Sequence, residues 1–187
     1  CTPTTSTNFA AGSVISPGFG TWELIQGTGA IANVNDPNSL VTNLSLGENI
    51  FQWTVYNGAC LDVTLQTDQV SIWVFSEDNP NADAGEDQEL CTPTSSTTLT
   101  GSDLIYPATG LWTIVSGSGT ITNPTSSTTT ITGLTVGETV VDWTVNNGPC
   151  PNTITSDQVT ILMYDQNQGD ADAGEDQFLC TPTSSTN

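Results

Sequence analysis

The sequence repeats itself with a period of about 90 residues, and this internal repeat constrains the fold more than any other feature. The motif CTPT at residues 1–4 recurs at 91–94 and again at 180–183. Between the first two copies, 24 of the first 60 aligned positions are identical at an offset of 90. One residue is lost after Cys150, so the offset is then 89. A period of this length predicts small domains in tandem.

The phase of the repeat predicts the domain boundaries. We assign 1–79 to a first repeat that lacks its initial strand residues, 80–168 to a second repeat, and 169–187 to the start of a third. The chain thus holds two full periods plus eight residues. We interpret it as a segment of a longer array.

Apolar and polar residues alternate over short stretches, which predicts strands and no helices. Val141, Trp143 and Val145 alternate with polar residues and are expected to share a buried face. The same period-two pattern at 51–55 places Trp53 in the core of the first repeat. In the second repeat we predict strands at 87–92, 97–100, 110–115, 119–122, 128–132, 138–146 and 158–164. Seven short strands predict an all-β fold, with each repeat an immunoglobulin-like β-sandwich.

The charge composition excludes several functions. The chain has 20 Asp plus Glu and no Lys, Arg or His, for a formal charge of −20. Without cations it cannot neutralise phosphates, so we expect no nucleic-acid partner. With no His, Lys or Arg for acid–base or covalent chemistry, we expect no enzyme. There is no apolar run of membrane-spanning length, so we expect no direct membrane insertion.

A hydrolase that uses only carboxylates is the remaining catalytic possibility, because two acids facing one cleft can suffice. The acids that recur between repeats are Glu48 with Glu138 and Asp68 with Asp157. Each of them sits among turn residues in the sequence. We therefore interpret them as loop residues.

Several motifs resemble those of a known family. The segment ADAGEDQ at 82–88, followed by an apolar strand, resembles the start of PKD-type domains. The motifs GLWTIVSGSGTI, GLTVGE and WTVNNGPC are similar to PKD-like and Ig-like repeats in very large surface proteins of Bacteroidota. The resemblance covers both repeats. It implies tandem PKD-like sandwiches in an exported adhesin, of the kind linked to gliding motility and type IX secretion.

The five cysteines suggest disulfides between equivalent positions. Cys1 and Cys60 are 59 residues apart, as are Cys91 and Cys150. We predict these two pairs within the repeats, and a partner for Cys180 outside the chain. Two alternatives stay open: pairs Cys60–Cys91 and Cys150–Cys180 between neighbouring repeats, or free structural thiols. Paired cysteines would indicate an oxidising, extracellular setting.

Acidic residues concentrate where one repeat meets the next. Six of them could supply the oxygen ligands that Ca²⁺ prefers: Asp83, Glu86, Asp87, Asp172, Glu175 and Asp176. Calcium at the inter-repeat junctions is therefore one hypothesis. The other is a solvated acidic linker in which Asp87 and Asp176 cap the following strand.

Exposed aromatic residues are predicted near the end of each repeat. Trp73 and Phe75 in the first repeat correspond to Leu162 and Tyr164 in the second. We expect them to contact the next repeat or another chain, or to be ordinary exposed residues of an edge strand. The leading functional hypothesis is a disulfide-stapled spacer or fibre module of an extracellular adhesin or filament. Its partners would be neighbouring repeats, with self-assembly into fibres. A glycan-binding or protein-binding module is the alternative.

Overall fold

The computed structural model describes residues 1–57, 66–151, 153–178 and 180. Every regular element in these ranges is a β-strand. The first repeat contains β1 (Thr7–Asn8), β2 (Phe19–Gln26), β3 (Ala30–Ile31), β4 (Leu40–Thr42), β5 (Gly47–Tyr56) and β6 (Gln66–Val74). The second contains β7 (Gln88–Cys91), β8 (Ser96–Thr100), β9 (Thr109–Ser116), β10 (Thr120–Ile121), β11 (Thr128–Thr132), β12 (Gly137–Asn146) and β13 (Ile154–Tyr164). No helix in the described part is long and apolar enough to cross a bilayer.

The all-β, immunoglobulin-like fold is confirmed. Each of the seven strands predicted in the second repeat has an observed counterpart. Most boundaries agree within two residues, and β13 begins four residues earlier than predicted. The second repeat packs a four-stranded sheet, β7-β13-β12-β9, against a three-stranded sheet, β10-β11-β8.

The first repeat has the same two layers but one strand fewer. Its sheets are β1-β4-β3 and β2-β5-β6, each with three strands. In the second repeat, β7 pairs in parallel with β13. Among the described residues no strand pairs with the outer side of β6, so this side is an open edge there. This missing strand is the main difference between the two sandwiches.

The strand alternation places the predicted residues in two apolar cores, one per repeat. Val141 and Trp143 are fully buried, and Val145 is 2% exposed. Trp112 and Trp143 pack with their ring centroids 4.8 Å apart. The tryptophan pair of the first repeat packs in the same way, at 5.0 Å. All four core tryptophans are buried: Trp22, Trp53, Trp112 and Trp143.

Candidate functional site

A disulfide joins Cys1 to Cys150, with the two Cα atoms 5.6 Å apart. It connects the start of the first repeat to the loop between β12 and β13 in the second repeat. The predicted pairs Cys1–Cys60 and Cys91–Cys150 are therefore wrong, and so is the alternative pair Cys150–Cys180. Cys60 lies outside the described residues. The disulfide is a staple between repeats.

The length of the last strand explains why the pairing within one repeat fails. Cys91 lies beside Tyr164 at the end of β13, whereas Cys150 precedes the start of that strand at Ile154. Strand residues rise about 3.3 Å each, so β13 separates the two cysteines by about 35 Å. A disulfide needs Cα atoms within about 7 Å. The equal spacing in the sequence therefore suggested the pair Cys91–Cys150, whose two members lie at opposite ends of one sandwich.

Buried polar and aromatic contacts surround the disulfide at the junction of the repeats. Asn147 Nδ2 donates a hydrogen bond of 2.9 Å to the backbone carbonyl of Ser76, and both residues are buried. The Phe75 ring lies against Gly148, where a Cβ would come within 2.5 Å of the ring. The structure thus places Phe75, a predicted interface residue, against the next repeat. A larger residue at position 148 would push this ring out of the junction.

A second group of contacts closes the junction on another side. The ring of Tyr106 lies over Gly47, where a Cβ would approach ring carbon Cε1 to 2.2 Å. Asn79 Oδ1 accepts a hydrogen bond of 2.8 Å from the Ile105 backbone N–H. The two repeats are therefore held by a covalent bond, hydrogen bonds and ring packing.

The far end of the second repeat presents the same backbone geometry, and no further sandwich packs against it within the described residues. The Thr92 N–H donates to the Tyr164 carbonyl over 3.0 Å, as the Thr2 N–H donates to the Phe75 carbonyl over 2.8 Å. Cys91 thus occupies the position that Cys1 has in the first repeat. Its thiol is free and exposed in the described structure.

The side chains around Cys91 are correspondingly open. Gly137 is the counterpart of Gly47, and a Cβ at this position would meet no described atom within 4 Å. Tyr164 is 45% exposed, and Leu162 is half-buried beside β7. Partial desolvation and the Glu89 carboxylate raise the pKa of the Tyr164 phenol above its ordinary value. The phenol is therefore neutral at physiological pH and remains a hydrogen-bond donor.

The open edge of β6 borders a groove of about 680 Å³ in the first repeat. Val70 on this edge is 38% exposed, whereas its counterpart Val159 is fully buried. Trp73, the other predicted interface residue of this strand, is 46% exposed. The lining includes Phe9, Gly12, Trp53, Asp68, Val70 and Trp73.

Three acidic residues of the predicted calcium site accept hydrogen bonds from backbone N–H groups. Asp83 Oδ1 accepts from the Gly85 N–H at 2.9 Å, and Asp87 Oδ1 accepts from the Thr160 N–H at 2.7 Å. Asp172 repeats the first of these bonds at 2.8 Å. The remaining candidates, Glu86, Glu175 and Asp176, are exposed.

Within the described ranges, no three His, Cys, Asp or Glu residues cluster closely enough to hold a metal ion. Calcium at the junctions stays a prediction. A melting temperature that is the same with calcium and with a chelator would reject it.

The recurring acids have a structural role that the sequence did not reveal. Asp157 and Glu138 lie in strands β13 and β12, so their interpretation as loop residues is wrong. The Asp157 carboxylate accepts a hydrogen bond of 2.8 Å from the backbone N–H of Ala84, which is 2% exposed. It thereby fixes the segment before β7. The sequence signal for this role was that the same acid recurs in the first repeat, as Asp68.

Sequence comparison finds a curated relative that is similar to part of this chain. The mouse dyslexia-associated protein KIAA0319-like protein is 36% identical over 121 residues, which is 61% of this chain. The chain covers only 11% of that relative's length. No family model matches the sequence.

Solved PKD domains are also similar to part of the chain. The PKD domain of the KIAA 1837 protein is 31% identical, with 52% of this chain and 98% of that domain covered and a TM-score of 0.42. A PKD domain of human KIAA0319 is 18% identical, with 50% and 88% covered and a TM-score of 0.40.

Proposed function

We propose that this chain is a stiff structural segment of an extracellular cell-surface protein, a spacer or fibre module without catalytic activity. The observation that carries this proposal is the stapled junction between the repeats. Two domains joined by a linker normally move relative to each other. Here the Cys1–Cys150 bond, the buried Asn147–Ser76 hydrogen bond and the Phe75 ring oppose that motion.

The setting follows from the same chemistry. A disulfide that bridges two domains persists in an oxidising compartment. The high negative charge keeps an extended polypeptide solvated and opposes aggregation. The sequence resemblance to surface adhesins of Bacteroidota supports a role in adhesion, with each repeat extending the reach of a more distant binding tip.

The exposed thiol of Cys91 extends the proposal to the next junction. Because Cys91 has the position of Cys1, we expect it to pair with a cysteine of a following repeat that is equivalent to Cys150. Two thiols would lose two protons and two electrons, and a disulfide oxidant such as oxidised glutathione would be reduced to two thiols. The array would then carry one staple at each junction.

Small-angle X-ray scattering of two single variants tests the stiffness. Cys150→Ser removes the staple, so we expect the distance distribution to broaden toward a flexible two-domain chain. Cys91→Ser is the matched control, because this thiol is unbonded in the described structure, and it should scatter like the wild type. Identical scattering from the wild type and Cys150→Ser would contradict the proposal.

A ligand-binding module is the second candidate, and the groove beside β6 is the observation that favours it. Trp73 is half-exposed there and Asp68 lines the same groove, a combination that can stack on and hydrogen-bond a sugar. Isothermal titration with soluble glycans tests this candidate. Heat released by the wild type but not by Trp73→Leu would favour it over a purely structural role.

A further inference from the structure

The sequence contains the dipeptide Asn-Gly twice, at 57–58 and at 147–148, which are equivalent positions of the repeat. An asparagine in this dipeptide is prone to lose its side-chain ammonia, because glycine has no side chain to hinder its own backbone nitrogen. Only the second dipeptide is described at both residues. Its asparagine, Asn147, is buried at the junction between the repeats. A reactive dipeptide is therefore held inside a structural contact.

The deamidation of such a dipeptide needs only the chain, solvent base and water. The backbone nitrogen of Gly148 loses its proton to base and attacks Cγ of Asn147, and the side-chain nitrogen leaves as ammonia. Water then opens the resulting cyclic succinimide at either carbonyl, which gives aspartate or isoaspartate. The net reaction converts asparagine and water to aspartate and ammonia, and nothing is oxidised or reduced.

The closed junction opposes this reaction at three atoms. The Gly148 N–H, which carries the nucleophilic nitrogen, donates a hydrogen bond of 2.9 Å to Asn146 Oδ1. The leaving nitrogen, Asn147 Nδ2, donates one of 2.9 Å to the Ser76 carbonyl. Asn147 Oδ1 is buried without a hydrogen-bond partner among the described residues. The negative charge that develops on this oxygen during the attack therefore finds no donor to stabilise it.

Packing across the junction adds to this protection. The Phe75 ring occupies the space beside Gly148, so the backbone nitrogen has little room to move toward the Asn147 side chain. Asn147 and Ser76 are both buried, which excludes the base and the water that the reaction needs. Phe75 and Ser76 belong to the first repeat, whereas the dipeptide belongs to the second. The protection therefore lasts only while the two repeats stay docked.

The product of deamidation opposes renewed closure of the junction. Aspartate at position 147 has no N–H to donate to the Ser76 carbonyl, and docking would bury its negative charge. The chain has no Lys, Arg or His that could pair with this charge. Glu77 and Asp78, which follow Ser76 directly, add further negative charge nearby. A junction that has opened and reacted is therefore weaker than one that has only opened.

We propose that Asn147–Gly148 is a deamidation site guarded by the Cys1–Cys150 disulfide, and that its reaction makes the opening of the junction irreversible. This inference rests on the proposed stapled spacer and adds a modification that follows the loss of the staple. An external thiol can break the staple by exchange, in which the thiol is oxidised as the disulfide is reduced. Reoxidation before deamidation restores the junction, whereas reoxidation after it meets a buried carboxylate.

Mass-spectrometric peptide mapping after digestion with pepsin measures the deamidation rate of Asn147 in the full chain at mildly alkaline pH. Cys1→Ser removes the staple without changing the loop of Asn147, and each sandwich keeps its own core. We expect it to react at least about tenfold faster than the wild type, because the rate follows the open fraction of the junction. Cys91→Ser is the matched control, since this thiol is unbonded in the described structure, and its rate should stay within about twofold. A synthetic peptide of residues 144–149 gives the unguarded rate, which should exceed the wild-type rate at least about tenfold.

Reformation of the Cys1–Cys150 disulfide in a glutathione redox buffer tests the effect of the product. Asn147→Asp should lower the equilibrium constant for closure at least about tenfold, because it removes a buried donor and adds an unpaired charge. Asn146→Asp is the matched control, since Asn146 is exposed and a carboxylate can also accept from the Gly148 N–H. It adds the same charge one residue away and should close within about twofold of the wild type.

The outcomes separate this inference from the proposed function. Equal deamidation rates in the wild type and Cys1→Ser, or equal closure by Asn147→Asp and Asn146→Asp, would overturn the guarded site. The stapled spacer stands in that case if Cys1→Ser scatters as a flexible two-domain chain. Rapid deamidation in a Cys1→Ser chain that scatters like the wild type would instead support the guarded site and contradict the staple as the source of stiffness.

Discussion

The two repeats share their core tryptophans but differ at one sheet edge. The second repeat covers the outer side of β13 with its own strand β7, and Val159 is fully buried. In the first repeat the equivalent side of β6 is open, and Val70 is 38% exposed. Both cores nevertheless bury their tryptophans. The first strand therefore completes the edge of this sandwich more than it supports the centre.

This difference separates two kinds of contribution to stability. The core tryptophans lie on the paired strands β2 and β5 of the first repeat and β9 and β12 of the second, so each repeat supplies them by itself. The edge strand β7 contributes a few hydrogen bonds and covers apolar surface beside β13. The largest substitution effects should therefore fall in the centre of either repeat, and the largest differences between repeats should fall at the edge.

Removing the central tryptophan should have the largest effect. Trp143 is fully buried, so we expect Trp143→Ala to cost the second repeat about 3–5 kcal/mol. Trp53→Ala should cost about 1 kcal/mol less in the first repeat, because the cavity would open into the groove and admit water. Hydrogen exchange resolved by repeat measures both values. Trp73→Ala serves as the exposed control, and equal costs for the two buried positions would contradict the comparison.

The recurring aspartates should show the sharpest contrast between repeats. Asp157→Ala leaves the buried Ala84 N–H without an acceptor, which should cost about 1–3 kcal/mol. In a dilute monomer Asp68→Ala should cost less than about 0.5 kcal/mol, since no strand lies in its groove. Urea unfolding of each variant measures these free energies. A large loss of stability for monomeric Asp68→Ala would show that the carboxylate supports the first repeat by itself.

Local alternation was sufficient to predict the strands and the buried face. The pattern around Val141 and Trp143 gave the correct inward residues, because neighbouring side chains in a strand point to opposite faces. These predictions depend on residues that are close in sequence.

The disulfide pairing could not be predicted in the same way. The pairing depends on which end of a strand each cysteine occupies. The equal spacing of Cys1–Cys60 and Cys91–Cys150 does not reveal these positions. The roles of Asp68 and Asp157 were missed for a related reason. Their polar neighbours suggested a turn, whereas the backbone continues as a strand whose edge receives another segment. Long-range geometry, rather than local propensity, determined both outcomes.

The smallest predicted effect on stability comes from alanine substitutions at two equivalent glycines. One lies in the junction between the repeats, and the other lies at the open end of the second repeat. Gly47 and Gly137 both have positive φ, 91° and 118°, so alanine at either position should cost about 1–2 kcal/mol in backbone strain. At Gly47 the new methyl group would also meet the Tyr106 ring, which should add about 1 kcal/mol. Gly137 faces open space. Thermal unfolding of the Gly47→Ala and Gly137→Ala variants measures the difference.

A Tyr106→Ala background supplies the control for this last comparison. Without the ring, Gly47→Ala should cost no more than Gly137→Ala, because only the backbone strain remains. If the two alanine variants are already equally stable with Tyr106 present, the ring does not pack against position 47 in solution. The junction would then rest on the disulfide and the Asn147–Ser76 hydrogen bond, and the far end of the second repeat would offer less packing surface to a following repeat.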